Sequence, residues 1–585
     1  MTVTSPLTPA VWAPYAAAVE LATSDGREPM TRAERGWWRS DATLEPGARY
    51  GFAIDGGEPR PDPRGMSLPD GPHGLSGAFD PQAHDWNDDA WTGVDLAGSV
   101  IYELHVGTFT AGGTLDAAAE QLGHLVDLGV DVVELLPLAT FPGRHNWGYD
   151  GVAPYSVHEV YGGPAALQRF VDVAHGLGLG VCLDVVYNHL GPDGNYFGEL
   201  GPYFTDKHAT PWGQGLNLDG EDSDEVRRWV LDNVQQWLRD FRVDGLRLDA
   251  VHELHDDTAL HLLEEMSREV DALAERTGRT KWLVAESDRN DPGTVTPRGA
   301  GAAVGGLGVH GQWADDIHHG MHVALTGETQ GYYADFADPS ALSKVMRTPF
   351  FHDGTYSSFR GRRHGRVVDA GTVPGWRFVA SLQTHDQVGN RAKGDRLSGA
   401  LLDLDPGVLG CGAAILLTSP YTPMLFMGEE WGARTPWQFF TDHTDTGIAD
   451  ATRDGRRAEF GSHGWDESDV PDPQDPDTFR RSKLDWSEPD REPHARLLRW
   501  YRDLLALRRA EPDLRDPRLD RVDVTWSNRH YRSDRGAFVV LANLSDEPWA
   551  CDVDGGKVWL SWEPDVAVHD GRVDVPARSA VLIRR

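Results

Sequence analysis

The chain has 585 residues, 40% hydrophobic and 25% charged, which is too long for one core and ordinary in composition for a globular protein of two to four domains. Its 55 lysines and arginines face 91 acidic residues, a net charge of −36 that repels nucleic acid and anionic lipid, and no apolar run is long enough to span a bilayer. The opening MTVTSPLTPA has neither a basic start nor an apolar segment, so no signal peptide is expected, and the scattered cysteines Cys182, Cys411 and Cys551 read as buried free thiols suited to a reducing cytoplasm.

From residue 10 to about 82, the segments VWAPYAAAVELAT, GWWRSDAT and ARYGFAIDG alternate apolar and polar positions between Gly, Pro and Asp. That is the pattern of a small β-sandwich. A Pro- and Gly-rich link, EPRPDPRGMSLPDGPHGLSGAFDP, follows. From about residue 99, apolar runs alternate with helical patterns. The runs cover 99–109, 130–138, 180–189, 243–251, 280–287, 310–319, 378–386 and 421–430. Between them lie stretches such as DSDEVRRWVLDNVQQWLRDF, where Val226, Val230, Val234, Trp237 and Phe241 form a helical stripe and Asp222 or Ser223 is placed to cap it. Eight such runs predict a closed (β/α)8 TIM barrel. Alternating strands return after 520 in VDVTWS, GAFVVLANLS, KVWLSW and SAVLIRR. The expected protein is therefore α/β. It has an N-terminal β-sandwich resembling a carbohydrate-binding module over 1–85, a TIM barrel with loop insertions over 86–510 and a C-terminal β-sandwich domain over 511–585.

The chemistry gathers where the apolar runs end. The third ends Asp184–Val–Val–Tyr–Asn188–His189, the fourth Arg247–Leu–Asp249 with His252 beyond, the fifth at Glu286 and the seventh at His385–Asp386. In a barrel these ends share one mouth. Asp249, Glu286 and Asp386 then suit glycoside hydrolysis, which needs a general acid at the leaving oxygen and an opposing carboxylate. A separation of about 5–5.5 Å between Asp249 and Glu286 implies a retaining route. Arg247 beside Asp249 favours an ionised nucleophile, and desolvation of Glu286 after LVA favours a protonated acid. Taken singly, each residue also has a structural reading: an Arg247–Asp249 ion pair, satisfied core histidines at His189 and His385, a loop cap at Asp184. Four strand ends sharing one face favour the site. The 21 tryptophans fit both core packing and sugar stacking.

DVVYNH (184–189), GLRLDAVH (245–252), AES (285–287) and THD (384–386) together resemble the α-amylase family of glycoside hydrolases, over roughly 99–510. The resemblance implies Asp249 as nucleophile, Glu286 as acid/base and Asp386 as transition-state stabiliser. It also implies that Arg247, His189 and His385 contact the sugar on the non-reducing side of the cut, with Tyr149 of HNWGYDG stacking on that ring. Four further segments narrow the resemblance to the branch that releases trehalose: PDPRGMSLPDGPHG (61–74), QWADDIHHG (312–320), MGEEWGARTPWQFFTDH (427–443) and VPDPQDPDTFRRSKLDW (470–486). The implied substrate is maltooligosyltrehalose, with trehalose and a shorter maltooligosaccharide as products. The pocket beyond the cut is expected to draw on Asp315, Asp316, His318 and His319 for hydrogen bonds, on Trp212 of TPWGQGLN for stacking, and on His252. QWADDIHH is equally readable as a barrel-supporting strand end, and GEEW as a brace of the eighth strand. Many α-amylases hold calcium, but the third loop, LGPDGNYFGELG, is short and presents no oxygen-ligand cluster. No metal and no cofactor are expected. A glycogen branching or debranching enzyme is the related alternative, and an inactive glucan-binding barrel the non-enzymatic one.

Overall fold

The computed structural model describes residues 7–299, 306–401, 403, 405–462 and 470–585. Eight parallel strands close into a barrel: β1 Ile101–Leu104, β2 Val132–Leu135, β3 Gly180–Val185, β4 Gly245–Leu248, β5 Trp282–Ala285, β6 Gly311–Trp313, β7 Phe378–Ser381 and β8 Thr422–Phe426. They pair in chain order, and β8 closes on β1 with Phe426 opposite Glu103. Each lies within one of the expected apolar runs, because strands covered on both faces read as continuous hydrophobic sequence.

The two-residue period of a strand decides what enters the barrel. Ile101, Val132, Cys182, Trp282, Val284, Trp313, Val379 and Met424 make a closed apolar plug. Two positions further along their strands, the inward residues become Glu103, Glu134 and Asp184, all nearly inaccessible to solvent. Gly245 and Arg247 stand in the same relation on β4. Gly245 is required there: a Cβ would come within 2.2 Å of the Trp282 ring on β5.

Before the barrel stand two small antiparallel sheets. One is built from Ala10–Trp12, Trp37–Arg39 and Thr31–Arg32, the other from Gly26–Pro29, Val19–Thr23, Arg49–Ile54 and Ser76–Gly77. After it come a five-stranded sheet and a three-stranded sheet between Asp523 and Arg584. Helix Pro406–Leu417 is apolar and buried on every side. It is sandwiched between the barrel and the C-terminal sheet, so it has no solvent face to mark with polar residues. No helix among the described residues is long and apolar enough to cross a membrane.

Two local expectations are corrected. The sixth run is a strand only to Trp313, and Asp315 opens helix Asp315–Thr326, so DDIHH is helical. The stripe from Val226 to Phe241 is buried on helix Ser223–Gln235 and the turn after it. Asp222 does not cap that helix with its side chain, because its carboxylate accepts the Tyr15 hydroxyl at 3.0 Å.

Candidate active site

Arg247 organises the mouth of the barrel. Its Nη1 donates to Asp184 Oδ2 at 2.9 Å and Asp249 Oδ1 at 2.8 Å, while Nη2 stands 3.1 Å from Glu286 Oε2. Trp313 lies over the guanidinium, 4.3 Å from ring centroid to Cζ. Side-chain exposure rises from 0% at Arg247 and 2% at Asp184 to 12% at Asp249, 18% at Glu286 and 39% at Asp386. The first two are floor; the last three are within reach of a ligand.

Asp249 is held at both oxygens, since Asn188 Nδ2 donates to its Oδ2 at 2.8 Å. Ala250 follows in a left-handed conformation, φ 38°, which costs a non-glycine residue energy that only a well-braced site retains. The Ala250 amide donates to Glu286 Oε2 at 2.7 Å. Burial pushes the Glu286 carboxyl well above the usual carboxylate range. Asp249 and Asp386 push it further, and Arg247 opposes them. Glu286 and the fixed Asp249 carboxyl thus share one guanidinium.

His385, Tyr149 and His189 form one wall. Tyr149 stacks on His385 at 5.1 Å and donates to Asp184 Oδ2 at 2.6 Å. His189 uses both ring nitrogens, on Asn188 Oδ1 and on the Tyr149 carbonyl. Trp212, 52% exposed on a hairpin turn, stacks on His189 at 5.2 Å. It belongs to this wall and not to the segment around Asp315.

The opposite wall corrects part of the QWADDIHH reading. Asp316 is spent on the scaffold: its Oδ2 accepts Asn290 Nδ2 and the amides of Phe351 and His352. His318 is likewise spent, on the Leu382 carbonyl at 2.8 Å and the Tyr333 hydroxyl at 3.0 Å. His318 has no ring nitrogen left for a sugar, and Asp316 keeps only Oδ1 outside these bonds. His319 is nearly buried and packs against Tyr332 at 4.9 Å. Asp315 remains at the mouth with its carboxyl pushed up to about 7, by burial first and then by Asp386, Asp288 and Asp316. His252 accepts the Asp288 amide at 3.3 Å and sits at the edge of the mouth.

Above this wall lies the loop of residues 352–366, in which the sequence reading named no residue. Hairpin Thr355–Ser357/Arg362–His364 carries Tyr356 and Phe359, 63% and 58% exposed, and Arg360 pairs with Asp288. Phe359 meets Tyr332 edge-on at 5.9 Å. The available signal was the aromatic and basic run YSSFRGRRHG. In GEEW, Glu430 accepts the Tyr102 hydroxyl and His124, and Glu429 the Tyr501 hydroxyl, so the segment braces β8.

Among the described residues, His208, Asp219 and Asp257 have ligand atoms close enough to share an ion. Lys207 Nζ already lies 2.6 Å from Asp219 and 2.8 Å from Asp257. An ammonium supplies the positive charge there, a donor set ill suited to a metal.

Residues 79–212 match the family model of the α-amylase catalytic domain. The chain is 51% identical over 584 residues to malto-oligosyltrehalose trehalohydrolase of Rhizobium sp. (strain M-11), covering 98% of this chain and 97% of that one. It is 53% identical over 578 residues to the protein of the same name from Arthrobacter ramosus, covering 98% and 99%. A 1,4-alpha-glucan branching enzyme of Corynebacterium jeikeium is 25% identical over 73% of this chain and 61% of its own. A crystal structure from Salmonella typhimurium, provisionally described as an α-amylase, superposes with TM-score 0.90 at 35% identity, covering 100% of this chain and 98% of that one.

Proposed function

Since the chain belongs to the malto-oligosyltrehalose trehalohydrolases of the α-amylase family, we propose that it hydrolyses the α-1,4 bond next to the trehalose end of maltooligosyltrehalose, releasing trehalose and a maltooligosaccharide. The observation that carries the chemistry is the single Arg247 guanidinium in contact with both Asp249 and Glu286 at the barrel mouth.

Glu286, kept protonated by burial, donates to the glycosidic oxygen as the bond breaks. Asp249, fixed by Arg247 and Asn188, attacks the anomeric carbon from the opposite face and forms a glycosyl-enzyme. The trehalose-bearing fragment leaves as an alcohol. Glu286, now a carboxylate, takes a proton from water as that water displaces Asp249, and the configuration is retained. Asp386, His385, Tyr149 and His189 hold the glucosyl unit on the non-reducing side. Asp315, His319 and His252, with Tyr332, Phe359 and Arg360 above them, offer carboxyl, imidazole, aromatic and guanidinium groups to the two glucose rings of trehalose, which has no reducing end to recognise. Trp212, on the His189 wall, supports the glucan side. Three buried free thiols suit a reducing cytoplasm.

Incubation with maltooligosyltrehalose and, separately, with amylopectin tests the reading. Rapid trehalose release from the first, with no new branch points and little debranching of the second, is the expected result. Branching or debranching activity, or binding without turnover, refutes it.

A further inference from the structure

His385 is gripped from beneath by a residue outside every sugar-facing motif. Glu103, on β1 and 1% exposed, accepts the His385 backbone amide at Oε2, 3.0 Å, and the Nδ1–H at Oε1, 2.5 Å. This two-point hold fixes backbone and ring together. It leaves Nε2 2.8 Å from the Tyr149 hydroxyl and 3.5 Å from Asp386 Oδ1. The hydroxyl passes the link to Asp184, and Asp184 to Arg247. One continuous polar chain therefore runs from β1 through the histidine wall to the guanidinium beneath the two reacting carboxyls.

We infer that Glu103 is a positioning residue for the hydrolysis proposed above: it holds His385 as a doubly protonated donor whose Nε2–H is given to the Tyr149 hydroxyl, fixing Tyr149 and Asp386 in place for the glucosyl unit. The inference rests on that reading of the site.

The charges around the ring favour it. Glu103 approaches from β1, Tyr149 from the loop after β2, Asp184 from β3, Arg247 from β4, and Asp386 from the same turn. Burial and Arg247 disfavour the imidazolium, but Asp386 and Glu103 outweigh them and lift His385 to about 9. Two neighbours that could compete are both shifted towards their neutral forms. His105 is pushed down to about 3 by burial. Glu134, opposite Glu103 on β2, is pushed up to about 8 by burial, with Glu103 and Asp184 adding to it. Glu103 is thus the carboxylate left to pair with the ring from below. A buried carboxylate without a charged partner is costly, so carboxylate and imidazolium stabilise one another.

Without Glu103, the ring loses one of two groups that keep it charged. In a full-length Glu103→Gln variant, kcat/KM for trehalose release, relative to wild type, is expected to fall modestly at pH 5.5 and at least about tenfold further at pH 8, because a histidine near its ordinary value is then neutral. Glu103→Asp keeps the charge and is expected to recover part of the pH 8 loss. A loss equal at both pH values, or no recovery in the aspartate variant, overturns the inference. A second measurement reads the ring directly and needs no substrate to turn over. Nitrogen-15 NMR of histidine-labelled wild type, with His385 assigned through His385→Asn, is expected to show both ring nitrogens protonated at pH 8. A neutral ring there overturns the inference. Trehalose release by wild type in the same assay tests the hydrolysis reading separately.

Discussion

The guanidinium of Arg247 stands 3.1 Å from Glu286 Oε2, yet burial outweighs it and pushes that carboxyl well above the usual carboxylate range. The acid is therefore poised by desolvation. Glu286→Gln keeps shape and removes the proton. It is expected to lower turnover by about two to four orders of magnitude with substrate binding retained. Rates of trehalose release paired with calorimetric binding check this; near-normal turnover refutes the role.

Arg247 is fully buried against three carboxyl groups. Arg247→Met takes from Asp184 its direct ion-pair partner and leaves it only the His385 imidazolium one hydrogen bond further away through Tyr149, and removing one partner of such a network costs about 3–5 kcal/mol. Urea unfolding is expected to show a loss of that size together with loss of activity. A variant as stable as wild type would mean that water or a rearranged lysine reaches Asp184.

Asp315 has an ordinary carboxyl value in the unfolded chain and about 7 in the folded one, raised by burial first and then by Asp386, Asp288 and Asp316. The folded state thus holds a proton that the unfolded state has released, so this group's contribution to stability falls as pH rises towards 7. Asp315→Asn removes the titration. Its melting temperature relative to wild type is expected to rise from pH 5.5 to about 7 and to level off above. An advantage independent of pH contradicts the assignment.

Phe359 is exposed on a hairpin whose Arg360 is tied to Asp288, two residues past the acid. If this roof reads the trehalose cap, Phe359→Ala loses more on the capped substrate than on a plain maltooligosaccharide. The ratio of the two kcat/KM values is expected to fall about tenfold, about 1.4 kcal/mol. Equal losses on both substrates would assign Phe359 to general packing.

Gly389 ends the short helix that starts at His385. A Cβ there would come within 2.0 Å of Trp147 and 3.0 Å of Trp437, which stack on each other at 4.4 Å. Gly389→Ala must part the stack or shift the helix that carries Asp386. The expected cost is about 1–3 kcal/mol with reduced turnover, read by thermal melting and rate. Unchanged melting would mean that the indoles have room to move.

The barrel was legible, and Asp249, Glu286 and Asp386 stood out as candidates, because one physical rule produces both signals. A strand covered on two faces must be apolar, so an ionisable residue where such a run stops stands at the rim. Asp249, Glu286 and Asp386 carry that mark. Asp316 and His318 carry it too, but their partners, Asn290, Phe351, Leu382 and Tyr333, come from remote segments, so local sequence could not show that they were already occupied. Glu103 fails in the other direction. It sits within an apolar strand, IYEL, where nothing nearby reveals that its partner is 282 residues away. Phe359 and Arg360 lie on a hairpin that a scan for eight barrel strands passes over.

The closure of β8 on β1, with Met424 beside Ile101 and Phe426 beside Glu103, has a consequence for biosynthesis. As the nascent chain leaves the ribosome, the first seven strands emerge with two open edges, β1 and β7, which only β8 can join. Those edges invite pairing with other chains until residue 426 is made. Catalytic competence is therefore acquired late in translation, and a chain stalled before β8 is a substrate for chaperones and not a slower enzyme.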